Sequence, residues 1–222
     1  MTSSRKPSSM KFTKTLLAAA ALTASVGASA AVTGSLGGGF GPFLALNTSS
    51  VGTQCAPSST AVCTLDAIGT ISRGTIYQAD QPFADIPANT VLGGRFLAAG
   101  PTSSDPALLS FTSAVSYISF LWGSPDTYNA LTITDSTGAT FNFTAGGLGF
   151  AQTNGNQSFS QYVQFVASAN TTIASLRFTS NGTDAFETAN YSITPIPEPE
   201  TYALMLAGLA ALGFVSKRRK QA

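Results

Sequence analysis

The chain has no histidine, only two cysteines and one tryptophan in its 222 residues, and just 9% of them are charged. Each shortage removes a class of chemistry. Without imidazole there is no Ser-His-Asp or Cys-His relay and no histidine ligand for a metal. Lysine is missing from the whole stretch between Ala31 and Pro195, which excludes a Ser-Lys dyad or a Schiff base there. The only cations in that stretch are Arg73, Arg95 and Arg177, against Asp66, Asp80, Asp85, Asp105, Asp126, Asp135, Asp184 and Glu187. A body so poor in cations cannot neutralise a run of phosphates, which excludes nucleic acid as a partner. No Gly-x-Ser-x-Gly elbow is present. Carboxylate pairs remain, and such a pair is able to hydrolyse a glycoside. Each of these acids falls in a segment of turn character, where Asp serves the backbone, so the chain is expected not to be an enzyme. A sustained helical period is also lacking between residues 31 and 195.

All the lysine lies in the two ends, and both ends read as targeting segments. Arg5, Lys6, Lys11 and Lys14 form a basic region, followed by an apolar Ala/Leu-rich core over residues 16–26. Ala28, Ser29 and Ala30 are small residues of the kind a signal peptidase reads, which predicts a signal peptide over 1–30 cut between Ala30 and Ala31. Met10 is an alternative start that keeps Lys11 and Lys14. At the other end Pro197-Glu198-Pro199-Glu200 neither continues a strand nor enters lipid, and reads as a stiff extended tether. Residues 202–215 carry no charge and no polar face, unlike a surface helix. They are shorter than the ~20 residues of a comfortable span. Interfacial Tyr202 and the snorkelling stems of Lys217 and Arg218 lengthen the reach, so the segment is expected to be a transmembrane helix. Lys217, Arg218, Arg219 and Lys220 then stay on the cytoplasmic side.

Motif, apolar helix and basic cluster in this order resemble the PEP-CTERM sorting signal of bacterial surface proteins, over residues 196–222. The resemblance implies a membrane-embedded exosortase that recognises Pro197, Glu198 and Pro199 and removes the anchor. It also implies transient residence in the inner membrane, then a surface or extracellular location in a Gram-negative bacterium that makes extracellular polysaccharide.

Between the ends, residues 31–60 are rich in Gly, Ser and Thr and are expected to be a flexible entry with at most one early strand. Gly37-Gly38-Gly39 is no phosphate loop, because no lysine or helix pattern follows it. Cys55 and Cys63 flank a polar loop, and in an oxidising compartment they are expected to form a disulfide worth ~2–3 kcal/mol; a zinc site is the poorer alternative. Residues 61–195 are expected to form an all-β domain, an antiparallel sandwich or jelly roll. Short apolar-alternating runs fall at 62–71, 74–78, 91–98, 107–112, 114–122, 130–134, 140–144, 159–167, 172–180 and 191–194. Turn signals at Asp135-Ser136-Thr137-Gly138, Asn154-Gly155 and Asn181-Gly182 separate several of them.

The segment from Ser116 to Asn129, an apolar strand running into Trp122-Gly123-Ser124 and then Asp126, Tyr128 and Asn129, resembles one found in a group of exosortase-dependent surface proteins. Ala185-Phe186-Glu187 and Asn190 are similar to the closing strand of those domains. The resemblance implies the same sandwich and brings no activity with it. Trp122, Asp126, Tyr128 and Asn129 form the toolkit of a sugar site, an aromatic face beside hydrogen-bonding groups. The competing reading places Trp122 in the core and leaves Asp126 and Asn129 to shape the turn. A structural calcium on Asp126, Asp184 or Glu187 suits a jelly roll, but no acidic run here matches a calcium loop, so no metal or cofactor is expected. The expected role is structural or adhesive, in the envelope or in extracellular polysaccharide, with signal peptidase and exosortase as processing partners. The alternative is a lectin-like module.

Overall fold

The computed structural model describes residues 32–193, together with Leu209. The signal peptide, the Ala30–Ala31 junction, the Pro-Glu-Pro motif and the basic cluster lie outside the described residues. So does the expected membrane helix, apart from Leu209. Among the described residues no helix is long and apolar enough to cross a membrane.

The described chain is built from strands, β1 (Val32–Leu36), β2 (Leu46–Thr48), β3 (Cys63–Leu65), β4 (Gly69–Ser72), β5 (Thr75–Tyr77), β6 (Phe96–Ala99), β7 (Ala107–Val115), β8 (Tyr117–Gly123), β9 (Ala130–Asp135), β10 (Thr140–Thr144), β11 (Ser160–Ala167), β12 (Ile173–Thr179) and β13 (Phe186–Ser192). One short helix, α1 (Ala145–Leu148), follows β10 and is capped by Thr144, whose Oγ1 accepts from the Gly147 N–H. Two antiparallel sheets result: a six-stranded sheet ordered β1-β11-β8-β13-β6-β5 and a seven-stranded sheet ordered β10-β9-β12-β7-β4-β3-β2. They face one another across an aromatic core, the expected β-sandwich. Phe120 of β8 meets Phe178 of β12 edge-on at 5.6 Å between ring centroids. Phe186 of β13 meets the same ring at 5.3 Å, and Phe165 of β11 meets Phe143 of β10 at 4.9 Å. Such pairs are worth ~0.5–1.5 kcal/mol each beyond the area they bury.

The expected flexible entry is corrected. Residues 32–48 supply an edge strand to each sheet: β1 pairs with β11 and β2 with β3. The glycines between them cover the six-stranded sheet. A Cβ on Gly38 would stand 2.5 Å from the Ser119 Cβ, and φ there is +91°, so close approach and backbone conformation both call for glycine. Low hydrophobicity reflects an edge position here, not freedom of the chain. The run 62–71 is a hairpin of β3 and β4, because Asp66, at φ 41°, turns the chain between them. The run 91–98 begins as a 3-10 turn (Leu92–Gly94) before β6, and the closing strand begins at Phe186 and not at Tyr191. Cys55 and Cys63 form the expected disulfide, with Cα atoms 5.6 Å apart.

The six-stranded sheet is covered on both faces over β5, β6, β8 and β13, while β1 and β11 keep an outward face partly open. Every residue of β8 and of β13 is buried. The outer face lies under a strap, residues 78–95, which adds Ala84, Phe83 and Ile86 to a second small core with Tyr77, Phe96, Ala98, Ala185 and Ala189. Asn190 pins the strap: its Nδ2 donates to the Asn89 carbonyl (2.9 Å) and to the Tyr162 hydroxyl (2.8 Å), and its Oδ1 accepts from the Val91 N–H (2.8 Å). The seven-stranded sheet has one face in the core and the other lined with short polar side chains. Register brings Thr140, Thr134, Ser175, Ser110, Thr70, Thr64 and Asn47 into one cross-strand row, one residue from each strand.

Candidate functional site

Where β8 ends, β13 begins beside it. Glu187 lies opposite Gly123, so Ser124 stands next to the Glu187 side chain and its hydroxyl donates to Oε2 at 2.7 Å. Alternation turns Phe186 into the main core and Glu187 to the strap side of the sheet, where the carboxyl is only 3% exposed. Burial pushes its pKa up to about 8; the Ser124 bond works against this, and the charges of Asp126 and Asp85 add to it.

Loops close over this carboxyl and leave a polar cleft of about 270 Å³. The β8–β9 loop contributes Asp126 and Tyr128, the β10–β11 loop Asn154, Gly155 and Gln157, the β12–β13 loop Asp184 and Ala185, and the strap Phe83. The Tyr128 hydroxyl donates to Asp126 Oδ2 at 2.6 Å and also lies 2.8 Å from the Asp184 carbonyl. Burial first, then the bond to Asp126, raises the pKa of this phenol, so it stays protonated. Asp184 is held from behind by Thr102, whose N–H donates to Oδ1 (3.1 Å) and whose hydroxyl donates to Oδ2 (2.7 Å). Gly155 passes so near Asp126 that a Cβ would lie 2.7 Å from Oδ1, again at positive φ (+68°). Loops set on a rigid sandwich are where binding groups gather.

The structure brings together Asp126 and Tyr128 of the sequence-derived set; of the two readings of Trp122 it bears out the core one and corrects the ligand-facing one. The indole is fully buried and stacks on Phe186 at 4.2 Å, so it presents no face to a ligand. Its apolar area outweighs its value as an exposed platform. Asn129 is buried behind the cleft, where its Nδ2 donates to the Ala185 carbonyl (3.3 Å). The acids considered for calcium, Asp126, Asp184 and Glu187, do line one cleft. Even so, among the described residues no group of three or more His, Cys, Asp or Glu is placed to hold a metal ion. Sequence reading missed Ser124, Gln157 and Phe83 as lining residues. Ser124 follows Trp122-Gly123 in the quoted segment, and Asn154-Gly155 registers only as a turn. Phe83 carries no signal at all, since nothing local shows that the strap folds back on the sheet.

A family model, the PEP-CTERM protein-sorting motif, matches residues 195–220, which include Pro197, Glu198, Pro199 and the basic cluster. No curated protein matches the chain. The motif implies exosortase processing, membrane-anchored transit and a surface location.

Proposed function

We propose, with the sorting motif as premise, that the exported chain is trimmed between Ala30 and Ala31, held in transit by its C-terminal segment and cut near Pro197–Pro199. The released sandwich then serves as a structural or adhesive component of the envelope or of an extracellular polysaccharide. The observation that carries this reading is the match over 195–220, which begins two residues beyond the last described residue of the sandwich, Ile193. The intact mass of the native protein, recovered from cells and from the medium, tests it. A mass spanning Ala31 to near Pro199 is expected; a mature protein that still contains Lys217 to Lys220 ends the processing account.

A second reading, a carbohydrate-binding module, is favoured by the polar cleft beside Glu187. In this version Asp126 and Tyr128 keep the role given to them from sequence, while Asp184 and Ser124 take the place of Trp122 and Asn129.

A further inference from the structure

The cleft is rich in acceptors, and among the described residues no arginine or lysine lines it. Asp126 Oδ1 takes no hydrogen bond from the described residues, and its partner oxygen is held by Tyr128. The arginines of the sandwich are engaged elsewhere, Arg73 on the Asp105 carbonyl, Arg95 on the Leu46 carbonyl and Arg177 on the Thr179 hydroxyl. An anionic ligand entering the cleft meets unneutralised carboxylates at short range, where like charges repel. A ligand that carries many O–H donors and no negative charge instead meets acceptors it can satisfy, Asp126 at one side and the Asn154 and Gln157 amides at the mouth. At about 270 Å³ the cleft falls just below the ~300–1,000 Å³ of pockets for drug-sized molecules, which leaves room for one ring and not for a chain.

We infer that this cleft binds a single neutral sugar ring, the terminal residue of a polysaccharide chain or branch, and rejects the corresponding uronate. The inference rests on the carbohydrate-binding reading. It adds the ligand class and the number of rings, and it fixes Asp126 as the acceptor that tells a hydroxymethyl sugar from a carboxylated one.

The test uses the processed native protein. It is titrated with the methyl glycosides of glucose, galactose and mannose, and with methyl glucuronide, and followed by ligand-observed NMR. Saturable binding of at least one hexoside is expected, with the glucuronide at least about tenfold weaker. Gln157→Trp is exposed and blocks the mouth without entering the core, and Asp126→Asn keeps the shape while removing the charge. Each should lower hexoside affinity at least about tenfold, with far-UV circular dichroism and the unfolding midpoint of Gln157→Trp unchanged. Absence of binding to all three hexosides, equal binding of the glucuronide, or full binding by Gln157→Trp overturns the inference. A parallel pull-down on polysaccharide from the producing culture separates the two levels. Retention of wild type and both variants alike removes the cleft from polysaccharide contact and leaves the matrix role standing. Failure to retain wild type removes the adhesive role itself.

Discussion

The two sheets of the sandwich obey the same alternation but end in different environments. In the seven-stranded sheet one face is core and the other is a hydroxyl-bearing surface, so apolar and polar residues alternate cleanly, as in β9 with Leu131 and Ile133 inward and Thr132 and Thr134 outward. In the six-stranded sheet the strap covers the second face over β5, β6 and β13, and β8 and β13 are buried at every residue. Each sheet also buries a carboxylate, and their environments are opposite. Asp135, at the end of β9, receives the Thr137 hydroxyl (2.7 Å) and the Thr137 and Ala139 N–H groups (2.8 and 3.0 Å) on Oδ1. The Thr137 hydroxyl, followed by those backbone donors, holds its pKa below the usual carboxylate range. Glu187 has the Ser124 hydroxyl and a strap above it, and its pKa rises. An open sheet meets a buried charge with turn amides; a doubly covered sheet withholds solvent and makes a polar cleft instead.

The largest expected effect comes from the ring that joins the covered sheet to the core. Trp122→Ala should cost ~3–5 kcal/mol of unfolding free energy, read from the midpoint shift in urea at constant slope. The indole is wholly enclosed and stacks on Phe186 at 4.2 Å, so its removal leaves a cavity between rings that cannot collapse freely. A cost under ~0.5 kcal/mol, within the range of a surface substitution, places the indole outside the core and returns it to the ligand-facing residues.

A smaller effect follows from Glu187. Its pKa is raised in the folded chain, so between its ordinary value of 4.5 and about 8 the folded state holds a proton that the unfolded state has released. Stability is therefore full below pH 4.5, falls as the pH climbs through this window and levels off above it. The expected loss is on the order of a few kcal/mol, at ~1.4 kcal/mol per pKa unit. Glu187→Gln should flatten the slope over this same window, because the amide has no proton to release. Asp135 gives the opposite sign. Its contribution is present above its ordinary pKa and is lost as the pH falls through the lowered value. Denaturant titrations across pH, on wild type and Glu187→Gln, separate the two carboxylates. An unchanged slope in Glu187→Gln shows that the carboxyl is ionised and hydrated in the folded chain.

The open sheet was the more legible one. Leu131/Ile133, Phe141/Phe143 and Leu176/Phe178 alternate with Thr, Asn and Arg in sequence and lie in strands that pair in register. The disulfide was legible too, since two cysteines around a short loop in an exported chain have few other uses. The covered sheet was legible only in part. The run Tyr117 to Trp122 has no polar alternation, which identifies a strand but not the direction of Trp122. The edge strands β1 and β2 escaped because edge positions bury little, and their Gly, Thr and Asn content resembles that of a linker. The cleft was half legible. Asp126 and Tyr128 stood out beside a tryptophan that turned out to belong to the core. Phe83 and Gln157 reach the same place only through long-range folding of the strap and the β10–β11 loop.

The smallest expected effect tests whether the open face is open. Thr134 lies in the hydroxyl row, opposite Thr140 on one side and Ser175 on the other, and points away from the core. Thr134→Lys adds a charge that solvent accepts and removes no core contact, so the unfolding free energy should move by no more than ~0.5 kcal/mol. The same charge placed at Ala189, fully buried beneath the strap, has no solvent to reach and should prevent the strap from seating. A large cost for Thr134→Lys that grows with protein concentration means that a second molecule covers the row, since mass action stabilises only an assembled state. In that case the two sheets differ in what covers them, strap or neighbour, and not in whether they are covered.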